Sequence, residues 1–168
     1  MSLPRSNTGG NAGVLLPMTL MITVAALAAG GVNANRETPL PWFEAWSERV
    51  EEKSAELGVR IAELPEAEQI VDDGIHFIFD ARSTDYFEAG HLPMAMSLPE
   101  TEFDEKFLEI APMLIPEQEI MVYCSGADCD ESLQVSKYLV EQGFTNVVLF
   151  ESGYESWVEA GLPVEEGL

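Results

Sequence analysis

From residue 59 onward, short apolar runs alternate with longer segments of helical periodicity, and that alternation leaves few folds open. Val59-Arg60-Ile61 reads as a short strand, Glu63 to Asp73 as a helix stopped at Gly74, and Ile75 to Phe79 as a strand apolar enough for burial on both faces. A helix over Ser83 to Ala89 closed by Gly90 follows, then a short strand over Ala95 to Leu98 before Pro99. Residues 101–114 contain a helix with Phe103, Phe107, Leu108 and Ile110 facing in. Ile120 to Tyr123 is a strand, and residues 131–142 are a helix burying Leu133, Val135, Tyr138 and Leu139 and closed by Gly143. Asn146 to Phe150 is the next strand, and residues 153–160 form a last helix closed by Gly161. Strands separated by helices predict an α/β fold, a parallel sheet with helices on both faces. Sites in such sheets lie beyond the carboxyl ends of the strands, where Asp80 and Cys124 both fall.

Cys124 ends the run Ile120-Met121-Val122-Tyr123 and opens the loop Ser125, Gly126, Ala127, Asp128, Cys129, Asp130, which leads into Glu131, Ser132 and the helix beyond. A thiol in a loop that opens a helix sits among backbone N–H groups and at the positive end of a helix dipole, and both favour the nucleophilic thiolate. A ring of N–H groups from Ser125 to Ser132 could serve this purpose, with Gly126 permitting an unusual turn and Ser132 acting as N-cap or hydroxyl donor. The plainer alternative is a small buried residue at a strand end. The loop holds both cysteines of the chain, too few for a disulfide scaffold. With only His76 and His91 to add, no four-ligand zinc site is expected, and no metal or cofactor is called for.

The chain has 168 residues, 46% of them apolar, enough for one domain with an ordinary core plus an appendage. Thirty acidic residues against 8 basic ones give a net charge of −22, spread through the sequence, which argues against nucleic acid and anionic lipid as partners. Val14 to Val32 carries no charge over 19 residues, close to the ~20 of a spanning helix. An uncleaved membrane anchor and a secretory signal peptide, with Val32-Asn33-Ala34 at the cleavage site, both fit. Residues 1–34 are thus an N-terminal hydrophobic segment, and 35–58 a linker and amphipathic helix. That helix spans 42–57, with Trp42, Phe43, Trp46, Val50 and Leu57 on one face. The folded domain occupies 59–168, expected on the periplasmic or other extracytoplasmic side.

Four segments carry a family resemblance: Phe79-Asp80-Ala81-Arg82, Ala89-Gly90-His91-Leu92-Pro93-Met94-Ala95, Tyr123-Cys124-Ser125-Gly126, and Gly143-Phe144 through Trp157-Val158-Glu159-Ala160-Gly161-Leu162-Pro163-Val164. Their order and spacing resemble the rhodanese (sulfurtransferase) domain over about residues 59–168. The resemblance implies a five-stranded parallel sheet and a catalytic cysteine, Cys124, that carries sulfane sulfur as a persulfide between a sulfur donor and a thiol acceptor. Asp80 and Arg82 read as an ion pair or hydrogen-bond network beneath the site, with direct substrate contact as the alternative. His91 reads as a folding signature satisfied by backbone, and Trp157 as core.

The departures from the family pattern are informative. Rhodanese loops often carry Arg or Lys for an anionic donor such as thiosulfate; this loop carries Asp128, Asp130 and Glu131, whose charges oppose both anion binding and thiolate formation. The loop is about two residues longer than the short sulfurtransferase form. Met94 stands where Gly is usual, and Ser152 stands where a Gly-Gly pair before the last helix is expected. Cys129 has three readings: a resolving cysteine that attacks a Cys124 persulfide, the partner in a disulfide formed on export, or a bystander. Both disulfide readings require the two Cα atoms within about 7 Å. Two rival functions stand beside sulfur transfer: a thiol–disulfide redox protein using Cys124 and Cys129, and a non-catalytic membrane-tethered binding module. A phosphatase-type loop is disfavoured, because positions 128–130 lack the arginine that clamps an oxyanion.

Overall fold

The computed structural model describes residues 12–35, 46–126 and 129–167. The chain divides into two compact units, the first ending at Glu44 and the second beginning at Ala45. The first holds helix α1, Ala12–Ala34, with Pro17 in its opening turns. Leu20, Met21, Ile22, Val24 and Leu27 are all more than half exposed along it. Among the described residues no helix is long and apolar enough to cross a membrane. The membrane-crossing helix expected over 14–32 is therefore not supported by the described residues, although an apolar helix is there.

The second unit runs α2 (Trp46–Leu57), β1 (Arg60–Ile61), α3 (Leu64–Asp73), β2 (Phe77–Asp80), α4 (Thr84–Ala89), β3 (Met96–Ser97), α5 (Phe103–Ile110), β4 (Ile120–Tyr123), α6 (Glu131–Glu141), β5 (Val147–Phe150) and α7 (Gly153–Glu159). Short 3-10 turns at Glu100–Glu102 and Ala111–Met113 flank α5. The five strands are all parallel, in the order β1-β5-β4-β2-β3, which puts β4 at the centre.

Successive residues of a strand face opposite sides of the sheet, and the three long strands are buried on both. Phe79, Val122 and Leu149 pack with Val50 of α2, Phe103 of α5 and Leu133, Val135 and Leu139 of α6. Ile78, Met121, Val148 and Phe150 pack with Ile70 of α3, Phe87 of α4 and Trp157 of α7. Helices α2, α5 and α6 thus cover one face, and α3, α4 and α7 the other. Trp157 is buried, and its indole N–H donates to the Pro163 carbonyl at 2.8 Å, which ties the C-terminal segment to α7.

Several boundaries differ from expectation. Ile75 is 68% exposed and outside the sheet, because β2 pairs with β4 only from Phe77↔Ile120 onward; Asp80 is the last strand residue instead. The helix expected across 101–114 is an α-helix flanked by two 3-10 turns, and Leu108, expected to face in, is exposed. Trp42 and Phe43 lie outside the described residues; the helix is described from Trp46 and joins the domain core through Val50.

Candidate functional site

Cys124 follows the central strand β4 directly, so its backbone is set by pairings on both sides of that strand, and it is buried. Two elements brace the loop it opens. The Ala81 N–H donates to the Tyr123 carbonyl at 2.9 Å from the β2 side. From the other, the Tyr154 N–H donates to the Cys124 carbonyl at 2.9 Å and the Glu155 N–H to the Ser125 carbonyl at 2.8 Å. The first turn of α7 is therefore a backing plate for the cysteine loop.

Glycine lets that plate come close. Gly153 has φ +57, and a β-carbon there would collide with the Cys124 carbonyl oxygen and stand 3.0 Å from the Gly126 nitrogen. Ser152, where the family pattern has another glycine, sits at φ −70 and ψ −12, an ordinary helical conformation open to any residue. Met94 behaves differently. It replaces a usual glycine and keeps the left-handed backbone, with φ +62. Gly126 does not supply the unusual turn expected of it, since it is absent from the positive-φ positions; its role is close packing, with the Glu155 carboxylate 3.1 Å from where a β-carbon would stand.

Cys124 and Cys129 form a disulfide, with Cα atoms 6.2 Å apart, inside the limit the spacing argument set. The Cys129 N–H donates to the Gly126 carbonyl at 3.1 Å, so this amide closes the loop and is not aimed at the sulfur. Ala127 and Asp128 lie outside the described residues. Helix α6 opens at Glu131, so the N-cap position falls to Asp130 and not to Ser132, which is buried in the first turn. Asp130 makes no side-chain cap bond, and its Oδ1 is buried without a hydrogen-bond partner. The Glu131 carboxylate lies against both sulfurs, Oε2 being 2.8 Å from Cys129 Sγ and 3.6 Å from Cys124 Sγ. Cys124, Cys129 and Glu131 bring three ligand atoms within 4.8 Å of one another, a set that could hold a metal only once the disulfide is reduced.

Asp80 and Arg82 form a buried pair. The guanidinium of Arg82 reaches both carboxylate oxygens, Nε at 3.0 and 3.1 Å and Nη2 at 2.5 Å, and the Arg82 amide adds a bond at 2.9 Å. Arg82 also donates to the Gly90 carbonyl at 2.7 Å. The Tyr123 hydroxyl donates to Asp80 at 2.7 Å and accepts from the Leu92 amide at 3.1 Å. Burial, followed by the charge of Asp80, drives the Tyr123 phenol far above its ordinary value. Burial alone would lower the Arg82 pKa, but the hydrogen bond and charge of Asp80 more than offset it. The guanidinium lies over the Tyr154 ring, 4.0 Å from its centroid. The Tyr154 amide in turn holds the Cys124 carbonyl, so the pair connects through Tyr154 to the cysteine loop.

His91 is buried, with Nδ1 2.9 Å from the Phe87 carbonyl and its ring stacked on Phe87. Its backbone bridges to Glu165, so it clasps the C-terminal segment. A small depression of about 90 Å³ lies beside the loop, lined by Ala81, Ser83, Pro99, Glu100, Thr101 and Glu131. Its charged walls are two carboxylates. Sequence reasoning missed Gly153, Tyr154 and Glu155, and treated Glu131 only as a repulsive charge. The Gly153-Tyr154-Glu155 contacts depend on strand order, but a glycine opening a helix after a strand was a visible signal.

The sequence profile of the rhodanese-like domain matches residues 63–160, and the chain belongs to that family. Among curated proteins it is 31% identical over 90 residues to an HTH-type transcriptional regulator of Mycobacterium tuberculosis, covering 54% of this chain and 38% of the regulator. It is 31% identical over 104 residues to a tRNA uridine(34) hydroxylase of Yersinia enterocolitica, covering 58% and 29% of the two chains. The chain thus spans well under half the length of either relative. Among solved structures it resembles a thiosulfate sulfurtransferase from Pseudomonas aeruginosa, with TM-score 0.55 and 24% identity over 73% of this chain and 23% of the other. A polysulfide-sulfur transferase from Wolinella succinogenes gives TM-score 0.55 and 22% identity, covering 72% and 87%. These structures share the fold.

Proposed function

We propose that the chain is a sulfurtransferase that carries sulfane sulfur on Cys124 and passes it to a thiol acceptor, with Cys129 as the resolving cysteine that expels the sulfur as sulfide when no acceptor takes it. The observation that carries this reading is the seat of Cys124: it follows the central strand directly, in a loop braced by α7, with a second cysteine in bonding reach. Family membership and a fold shared with two sulfur-transferring enzymes support it. The Cys124 thiolate attacks the outer sulfur of a donor persulfide; the donor S–S bond breaks, and the inner sulfur leaves as a thiolate. Carboxylates on the loop and the depression oppose a thiosulfate dianion and favour a donor of low charge or one borne by a protein.

The test is to reduce the chain and offer it cysteine persulfide. One sulfur per chain is expected, held as labile sulfur or released once as sulfide, and none for Cys124→Ser. Normal loading of that variant overturns the reading. The disulfide favours a second reading, a thiol–disulfide redox protein. That protein would cycle with a dithiol yet take up no sulfane sulfur.

For residues 14–32 we propose a membrane tether, with the domain outside the cytoplasm and no role for nucleic acid at a net charge of −22. In support, the segment carries no charge, and α1 exposes apolar side chains that water does not favour. The Thr23 hydroxyl is satisfied by the Thr19 carbonyl at 2.9 Å, as a span in lipid requires. A disulfide suits an oxidising compartment. Membranes washed with carbonate should retain the chain; full-length chain in the soluble fraction contradicts the tether.

A further inference from the structure

We propose that Glu131 is the catalytic base that takes the proton of Cys129 when this thiol resolves a persulfide on Cys124. The proposal rests on the sulfur-transfer reading above. In the disulfide neither sulfur carries a proton, so a carboxylate oxygen 2.8 Å from Cys129 Sγ receives no hydrogen bond from it. A reduced Cys129 supplies the missing donor in place. The same oxygen is 3.6 Å from Cys124 Sγ, so one carboxylate serves both ends of the exchange.

The placement follows from the chain. Glu131 is the first residue of α6, and the Cys129 backbone two residues before it is held by the Gly126 carbonyl at 3.1 Å. Glu131 is exposed and lines the depression, so its proton can exchange with water. Beneath the loop the Arg82 guanidinium is already paired with Asp80 and lies over the Tyr154 ring, and the carboxylates that border the loop are these. Glu100 shares the depression and accepts from the Tyr138 hydroxyl at 3.4 Å. Asp130 belongs to the loop itself, and Glu155 of α7 borders Gly126. Asp128 lies outside the described residues. With this negative surround, thiolate formation at Cys129 needs an adjacent acceptor for its proton.

The step balances without an outside reagent. Cys129 S–H gives its proton to Glu131, and the sulfur's electron pair forms a bond to the inner sulfur of Cys124–S–SH. The bond to the outer sulfur breaks, and that sulfur leaves with the pair as HS⁻, which Glu131 or water protonates. The outer sulfur is reduced to sulfide while the two cysteines become a disulfide. A dithiol reductant then reopens the pair for the next cycle.

The test follows sulfide release from the reduced, full-length chain loaded with cysteine persulfide, with rates normalised to the labile sulfur bound. Wild type should release its sulfur and finish as the Cys124–Cys129 disulfide, with a rate that persists at about pH 6, well below the ~8.5 of a free thiol. Glu131→Gln should release sulfide about a hundredfold more slowly there, with a rate that climbs about tenfold per pH unit toward the thiol range. Glu131→Asp should recover part of the loss. Equal rates for Glu131→Gln and wild type at acid pH overturn the proposal, and so does a wild-type profile that merely follows thiol ionisation. Failure of the underlying reading looks different: then neither wild type nor Cys129→Ser takes up labile sulfur at all.

Discussion

Gly153 packs against the Cys124 carbonyl with no room for a β-carbon, and the same close approach brings the Tyr154 amide to that carbonyl at 2.9 Å. Gly153→Ala combines a left-handed backbone with a backbone collision, so a loss of about 3 kcal/mol is expected. Ser152→Gly, one residue earlier, should cost under about 1 kcal/mol, since Ser152 is already in a relaxed helical conformation. Denaturant unfolding of the two variants compares them directly. Equal losses would remove close packing as the reason for glycine at 153.

The Asp80–Arg82 pair is buried and hydrogen-bonded, so removing one partner strands a charge. Arg82→Met should cost about 3–5 kcal/mol, and the double change Asp80→Asn with Arg82→Met distinctly less than the sum of its singles. A double-mutant cycle measured by urea unfolding gives the coupling. Additive losses would mean the two side chains act independently.

Met94 holds φ +62 with its side chain half exposed. Met94→Gly removes the left-handed strain and gives up little burial, so stability should rise by about 0.5–1 kcal/mol. A lower melting temperature would show that the burial lost with the Met94 side chain outweighs the backbone term.

Glu151 follows β5, and burial, then the charges of Glu51 and Glu63, raise its carboxyl pKa. Its Oε1 has no hydrogen-bond partner. A raised folded-state pKa stabilises the fold below the unfolded carboxyl value, and that contribution is lost as pH rises through the folded value. At neutral pH the ionised group therefore works against folding. Glu151→Gln should raise the melting temperature by about 2 °C at neutral pH, the effect kept small by partial exposure, and the gain should vanish below about pH 4. A gain independent of pH would point to packing and not charge.

Much of this architecture was legible because local patterns decide it. Ile120 to Tyr123 is apolar at every position, and a strand with both faces covered leaves no other choice. Gly74 and Gly143 mark helix ends through backbone geometry, with φ +63 and +99. Ile75 looked like strand because it is apolar, but register with β4 begins at Phe77, and register is set by a partner more than 40 residues away. The start of α6 at Glu131 was legible, but its N-cap is Asp130 and not Ser132: the two residue types cap equally well, and the disulfide fixes the loop in a way propensity does not record. The contact of Glu131 with both sulfurs follows from that loop geometry. From composition alone the same glutamate could be counted only as another negative charge.

The bond between Cys124 and Cys129 closes a ring of very few residues. Cross-links restrain an unfolded chain less as the loop they close gets shorter, and these two positions stay close in any conformation. The core that holds the sheet together lies under the loop and does not include it. Oxidation and architecture are therefore largely uncoupled in this domain: the latch can open or shut while the hinge it hangs on keeps its shape.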